Sequence, residues 1–291
     1  MNDELLFCIP LEDPSGEFEA ASELLNALEL DFSSYFDREN CSVRHTVYHT
    51  DPESAAECRE QIKNLLPLWQ EIGVTLNMGD TFSLQKSEWA EAWKQYFKPI
   101  EISERLLVRP SWLDDAPAPG QKILEINPGM SFGTGQHATT LFCLKQIDKL
   151  AGANKSLLDA GCGSGILAIA GALLDYGHID AFDFDPEAVE VAKENIELNR
   201  LAGRIVPQVG NAADWQGRPE KYDVVCANIL GHLLISFRFN IASWVAPGGS
   251  LVLAGILERD FDGVSAAYAE LGFSEIERFT DREWTGGVFR S

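Results

Sequence analysis

The stretch that decides the fold is Leu157-Leu158-Asp159-Ala160-Gly161-Cys162-Gly163-Ser164-Gly165-Ile166. An apolar run ends in three alternating glycines, and a second apolar run, Ile166 to Leu174, follows at once. That is a strand, a tight turn and a helix. Glycines let a ligand approach the backbone, and the free amides at a helix start face it. A turn that holds a pyrophosphate spaces its glycines as Gly-x-Gly-x-x-Gly. Here the spacing is Gly-x-Gly-x-Gly, position 166 is Ile, and Asp159 stands just ahead. The tighter loop suits a ligand without phosphate. Its amides, at Gly161 and Gly163 above all, can meet a charged amino-acid group together with Asp159.

Outward from this loop the chain alternates strands and helices. Strands are expected at 156–159, 179–183, 204–209, 223–228 and 250–254, with two more at the C-terminus. Helices are expected at 166–174, 186–199, 235–245 and 261–271. Such alternation predicts a parallel, doubly wound α/β sheet, with the ligand beyond the carboxyl ends of the strands. Asp183 ends the strand after the glycine loop, and a carboxylate there can accept both hydroxyls of a ribose. Asp185, followed by Pro186, reads as a helix N-cap. Asn211 either meets an adenine edge or forms a turn. Asn228 ends the fourth strand, in Ala227-Asn228-Ile229-Leu230, where a polar group can position an incoming nucleophile. Upstream, the segment 127–140 carries Gly129, Gly133 and Gly135 ahead of a helix start near Thr139, as a loop that closes over a ligand would.

The N-terminal part has a different grammar. Strands at 5–11, 32–36 and 42–50, helices at 17–29 and 52–72, and a last strand at 74–84 give the order β-α-β-β-α-β, a small ferredoxin-like α+β sandwich. Asp51 and Pro52 open the second helix. A Trp-rich connector at 89–99 follows. The expected domains are therefore 1–86, a linker over 87–104, and 105–291.

Composition excludes several classes. Net charge is −22. Residues 1–100 hold 19 acidic and 7 basic side chains, and residues 101–291 hold 26 and 16. Acid repels nucleic-acid phosphate and is compatible with a basic protein partner. The six cysteines form no Cys-x-x-Cys pair and are expected to be reduced thiols. His45 and His49 lie in a β-branched stretch without the glutamate of a helical zinc motif, so no metal is expected. No apolar run spans a bilayer, and the first residues lack the basic start of a signal peptide, which points to the cytoplasm.

The Gly-x-Gly-x-Gly loop with Asp183 is the form seen in enzymes that use S-adenosylmethionine. Together with Pro128-Gly-Met-Ser-Phe-Gly-Thr-Gly-Gln-His-Ala-Thr-Thr140, the 183–186 stretch Asp-Phe-Asp-Pro, Ala-Asn-Ile-Leu, Pro-Gly-Gly, Ala254-Gly-Ile-Leu257 and Glu283-Trp284, it closely resembles one family, the methyltransferases of bacterial ribosomal large-subunit protein eleven. The resemblance covers nearly the whole chain. It implies a Rossmann-like seven-stranded methyltransferase domain behind an N-terminal substrate-recognition domain. It places Thr140, Gly161, Asp183 and Asn228 at the donor, and it implies methylation of lysine or N-terminal amines of a basic ribosomal protein by a monomeric enzyme. His137-Ala138 stands where family members often read His-Pro, and the N-terminal domain is divergent. Alternatives within the class are a lysine methyltransferase of another protein, such as an electron-transfer flavoprotein subunit, and a small-molecule methyltransferase. Outside it, a nucleotide-dependent oxidoreductase lacks its third glycine here, and a non-catalytic binding protein has no reason to keep Gly161, Gly163 and Asp183.

Overall fold

The structure is a computed structural model that describes residues 5–15, 19–28, 30–37, 42–85, 98–127, 137–152 and 154–291. Residues 89–97 of the Trp-rich connector and residues 128–136 of the glycine-bearing segment lie outside the described residues. The chain divides into two compact units, Met1–Tyr96 and Phe97–Ser291.

The first unit runs β1 (Leu5–Asp13), α1 (Glu19–Ala27), β2 (Phe32–Asp37), β3 (Ser42–His49), α2 (Pro52–Glu71), β4 (Asn77–Met78) and β5 (Phe82–Gln85). Its antiparallel sheet has the order β2-β3-β1-β4, and β5 also pairs with β1. The single last strand expected over 74–84 is thus two short strands, parted at Gly79-Asp80. Alternation along β1 puts Ile9 and Leu11 on one face, where they pack with Val47, Leu25, Cys58, Ile62 and Trp69 in the core. Asp51 caps α2, accepting the amides of Glu53 (3.1 Å) and Ser54 (2.8 Å). His45 is buried, with Nδ1 2.7 Å from Ser34 Oγ, and its burial holds the imidazole below its ordinary range.

In the second unit, β6 (Ile100–Ser103), β7 (Leu106–Arg109) and β8 (Lys122–Glu125) form a three-stranded sheet. Strand β6 falls in the stretch read from sequence as linker, but it pairs with β7 and belongs to this unit. Then come α3 (Ala138–Leu150), β9 (Ser156–Ala160), α4 (Ile166–Leu173), β10 (His178–Asp183), α5 (Pro186–Leu198), β11 (Gln208–Val209), β12 (Tyr222–Asn228), α6 (Gly231–Ser236), α7 (Arg238–Trp244), β13 (Val245–Leu257), α8 (Glu258–Ala269), β14 (Ser274–Asp281) and β15 (Trp284–Arg290). The main sheet has seven strands in the order β11-β10-β9-β12-β13-β15-β14. Buried strands β9 and β12 are apolar on both faces because helices cover both, and two cores result, one on each side.

The sheet is mixed, where the alternation alone predicted a parallel one. Strands β14 and β15 are joined by a two-residue hairpin, Arg282-Glu283, with Arg282 at φ 54°. So short a link forces an antiparallel pair, and β15 then inserts antiparallel beside β13. Two further expectations shift. The strand over 204–209 shrinks to β11, and the helix over 235–245 is two helices that meet at Phe237. Among the described residues no helix is long and apolar enough to cross a membrane.

The insertion of β15 depends on side chains lying flat on its backbone. A Cβ at Gly286 would stand 2.7 Å from a ring carbon of Phe142, and one at Gly287 2.7 Å from the ring of Phe261. Both rings are buried. Gly286→Val therefore forces Phe142 out of its place and is expected to destabilise the fold by about 1–3 kcal/mol or more, the usual effect of overpacking a core. Urea unfolding of the two proteins measures this; an unchanged midpoint would show that α3 yields freely.

Candidate active site

Register brings the proposed site residues together. Ala160 pairs with Phe182 on one side and with Ala227 on the other. The next residue of each strand path is Gly161, Asp183 and Asn228. They stand side by side at the carboxyl ends of three neighbouring parallel strands, about 4.8 Å apart per strand. Residues separated by 67 positions in the chain become neighbours because β12 crosses over to lie against β9.

The glycine loop is tied to β10. The amides of Gly161 and Cys162 both donate to the Phe182 carbonyl at 2.9 Å. Gly161 has φ 76°, and a Cβ there would meet Ile229 Cγ2 at 2.6 Å, so only glycine lets the loop pass the segment after Asn228. Asp183 closes the arrangement. Its Oδ2 accepts the Gly163 amide (2.8 Å) and its Oδ1 the Asp185 amide (3.1 Å). One carboxylate thus orders the loop and the start of α5, and its oxygens keep lone pairs for further donors. Asp185 caps α5 through the Glu187 amide (2.9 Å), which is the structural part read for it from sequence.

Asp159 lies beneath the loop and is 0% exposed. Its Oδ2 accepts the Ala168 amide at 3.0 Å, in the first turn of α4. Burial, with the Asp183 charge adding to it, pushes the Asp159 carboxyl up to about 7. Cys162 in the same loop is also buried, and burial first, then the two carboxylates, hold its thiol well above the ordinary range.

Three buried oxygens in this region have no hydrogen-bond partner among the described residues: Thr140 Oγ1, Asp159 Oδ1 and Asn228 Oδ1. Buried polar atoms are usually paired, and a bound ligand is one way to pair these three. Thr140 sits in the first turn of α3. Asn228 is half-buried, and its neighbour in the sheet is Ala254. Asn211 is exposed and its Oδ1 accepts the Ala213 amide (2.9 Å), so its observed part is that of a turn former.

Three further residues here carry no local sequence signal of their part. Gly255 has φ 78°, and a Cβ would stand 2.8 Å from the Ile229 carbonyl and 3.1 Å from Asn228 Oδ1; it keeps the far side of Asn228 clear. Phe184 is 73% exposed directly after Asp183, an apolar ring beside the strand end that carries the carboxylate. His137 caps α3. Phe184 shows in the chain only as an aromatic between two aspartates at a strand end, and exposure is not legible from sequence.

A seven-stranded mixed sheet, a Gly-x-Gly-x-Gly loop at its centre and an acid at the end of the next strand define the class of S-adenosylmethionine-dependent methyltransferases, and S-adenosylmethionine is the cofactor. The residues present are chemically compatible with it: loop amides, the Asp183 carboxylate, and buried oxygens at Thr140 and Asn228 that have no partner among the described residues. The model of the family described as ribosomal protein L11 methyltransferase (PrmA) matches residues 19–291. The chain is 35% identical over 259 residues to the ribosomal protein L11 methyltransferase of Chloroflexus aurantiacus, covering 81% of this chain and 78% of that one. To the enzyme of the same name from Ruminiclostridium cellulolyticum it is 29% identical, covering 97% and 89%. The crystal structure of a ribosomal protein L11 methylase from Lactobacillus delbrueckii subsp. bulgaricus superposes with a TM-score of 0.60 at 28% identity, covering 67% of this chain and 97% of that one. The chain belongs to the ribosomal protein L11 methyltransferase family.

The raised Asp159 carboxyl has a consequence for stability. In the unfolded chain an aspartate ionises near pH 3.9. In the folded protein it ionises only near 7. Its contribution is therefore fully present below about pH 4 and is lost as pH rises through about 7. Asp159→Asn keeps an oxygen for the Ala168 amide and removes the titration. The melting temperature of this variant, relative to the wild type, is expected to rise from about pH 5 to pH 8. Parallel melting curves across that range would sink the assignment.

Proposed function

We propose that this chain transfers methyl groups from S-adenosylmethionine to amino groups, on lysine side chains or the N-terminus, of ribosomal protein L11. The observation that carries the reading is the alignment of Gly161, Asp183 and Asn228 at three adjacent strand ends, in a chain of this family. In this reading Asp183 holds the ribose, the Gly161 and Gly163 amides face the amino-acid end, Thr140 adds a hydroxyl, and Asn228 positions the incoming amine. The strand order supports a Rossmann-like core, and the order β2-β3-β1-β4 with two helices supports a ferredoxin-like first unit that selects the substrate. The enzyme works in the cytoplasm as a monomer without direct nucleic-acid contact. The net charge of −22 supports that last part and favours a basic protein substrate.

Bound S-adenosylmethionine supplies a sulfonium methyl already activated for displacement, so positioning dominates catalysis. The amine must be neutral to attack, and free lysine has a pKa of about 10.4. Packing of the amine against Ile229 and the end of β12, away from water, would lower that value by desolvation. Asp183 and the Gly161 and Gly163 amides would hold the donor, whose methyl would pass from sulfur to the amine nitrogen while the displaced electron pair stays on sulfur and the amine proton goes to solvent. Asn228 Oδ1 accepts from the amine and orients its lone pair along the displacement line.

Three measurements test the reading. With radiolabelled donor and ribosomal extract, the labelled band should be L11; a labelled small molecule, or another protein with L11 unlabelled, would replace the substrate. Asp183→Ala should weaken donor affinity at least about tenfold, since a hydrogen bond to a charged group contributes roughly 1.5–3 kcal/mol. Asn228→Ala should cut turnover about a hundredfold, with a smaller loss of affinity. Wild-type turnover in that variant would reduce Asn228 to a turn residue.

A further inference from the structure

His137 is the N-cap of α3. Its Nδ1 lies 2.8 Å from the Thr139 hydroxyl and 3.4 Å from the Thr139 amide. An amide can only donate, so Nδ1 accepts, and the ring in this arrangement is neutral with its hydrogen on Nε2. Histidine is an uncommon cap, because Ser, Thr, Asp and Asn reach the first turn more easily. Here the ring is fixed from outside the helix. It packs edge-on against Trp284, centroids 5.1 Å apart at 74°. Trp284 follows the β14–β15 hairpin, and the charged groups that face His137 come from it: Glu283 and Asp281. Burial outweighs their pull and keeps the imidazole below its ordinary range. One turn further on, Thr140 is 1% exposed, and its Oγ1 has no partner among the described residues.

We propose that His137 is a positioning residue for the methyl donor: its neutral ring, clamped by Trp284, fixes the first turn of α3 and so sets the Thr140 hydroxyl. The proposal rests on the reading of Thr140 as a donor contact. Protonation removes the only acceptor on Nδ1 and draws the ring toward Asp281 and Glu283, so the cap opens and Thr140 loses its setting. Donor affinity then falls in acid for a reason that lies outside the donor contacts themselves.

The experiment is donor affinity of the full chain by calorimetry, from about pH 5.5 to pH 8, around the ordinary imidazole pKa of about 6.5. Wild type, His137→Asn, His137→Ala and Thr140→Val are compared, each with a melting curve. Asparagine caps without titrating in this range. His137→Asn should keep affinity within about threefold near neutrality and lose less of it in acid than the wild type. His137→Ala should bind about fivefold more weakly or worse even at about pH 8. Asp159 titrates in the same range in all the proteins, so the difference between wild type and His137→Asn is the readout. An acid loss in His137→Asn equal to the wild type's, or full affinity in His137→Ala, overturns the proposal. If Thr140→Val weakens binding while both His137 variants match the wild type, the donor reading of Thr140 stands and the proposal alone fails. If Thr140→Val binds as the wild type does, the reading of Thr140 fails and takes the proposal with it.

Discussion

The Asp183 carboxylate accepting the Gly163 amide is the contact on which the site depends. It joins the end of β10 to the loop that leaves β9, and its other oxygen fixes the Asp185 amide at the start of α5. Charge-assisted hydrogen bonds of this kind are roughly twice as strong as neutral ones. Three elements that the chain makes separately are held to one geometry by a single side chain. The Phe182 carbonyl reinforces it by accepting two loop amides. With the loop fixed, Asn228 can stand beside it across the β9–β12 pair, and Gly255 leaves room on the other flank.

This order has an electrostatic cost. Two carboxylates, Asp159 and Asp183, lie close together and are both buried. The fully buried one responds by holding its proton to about pH 7. A cationic amino-acid end or sulfonium placed near them relieves that repulsion, so the pair favours a positively charged ligand before any hydrogen bond is counted. The oxygens at Thr140 and Asn228 that have no partner among the described residues act in the same direction. A buried acceptor without a donor costs about 1–3 kcal/mol, and a ligand that brings a donor or a positive edge recovers it.

The second half of the sheet serves the first. The hairpin at Arg282-Glu283 turns β15 back between β13 and β14, and its glycines let Phe142 of α3 and Phe261 of α8 press on the strand from the two faces. The same hairpin delivers Trp284 to His137. The C-terminal strands thereby hold the first turn of a helix more than a hundred residues earlier in the chain.

By itself the amino-acid sequence determined the glycine loop, the strand ends at Asp183 and Asn228, the caps at Asp51 and Asp185, and the family. Each is local: a spacing, a period, a capping residue beside a proline. Local signals survive because neighbours in the chain remain neighbours in the fold. The tertiary structure alone decided the rest. Strand β15 reads as a strand in either direction, and only its short hairpin and its pairing with β13 make it antiparallel. Strand β6 reads as linker until β7 supplies its hydrogen bonds. Helices α6 and α7 share one apolar period and part at Phe237, where the backbone turns. Gly255 looks like any strand glycine until the Ile229 carbonyl is found where its Cβ would be. His137 and Trp284 are 147 positions apart, and no pattern in the chain links them. Contacts between distant segments depend on how strands cross over, and that is settled by packing of the whole sheet.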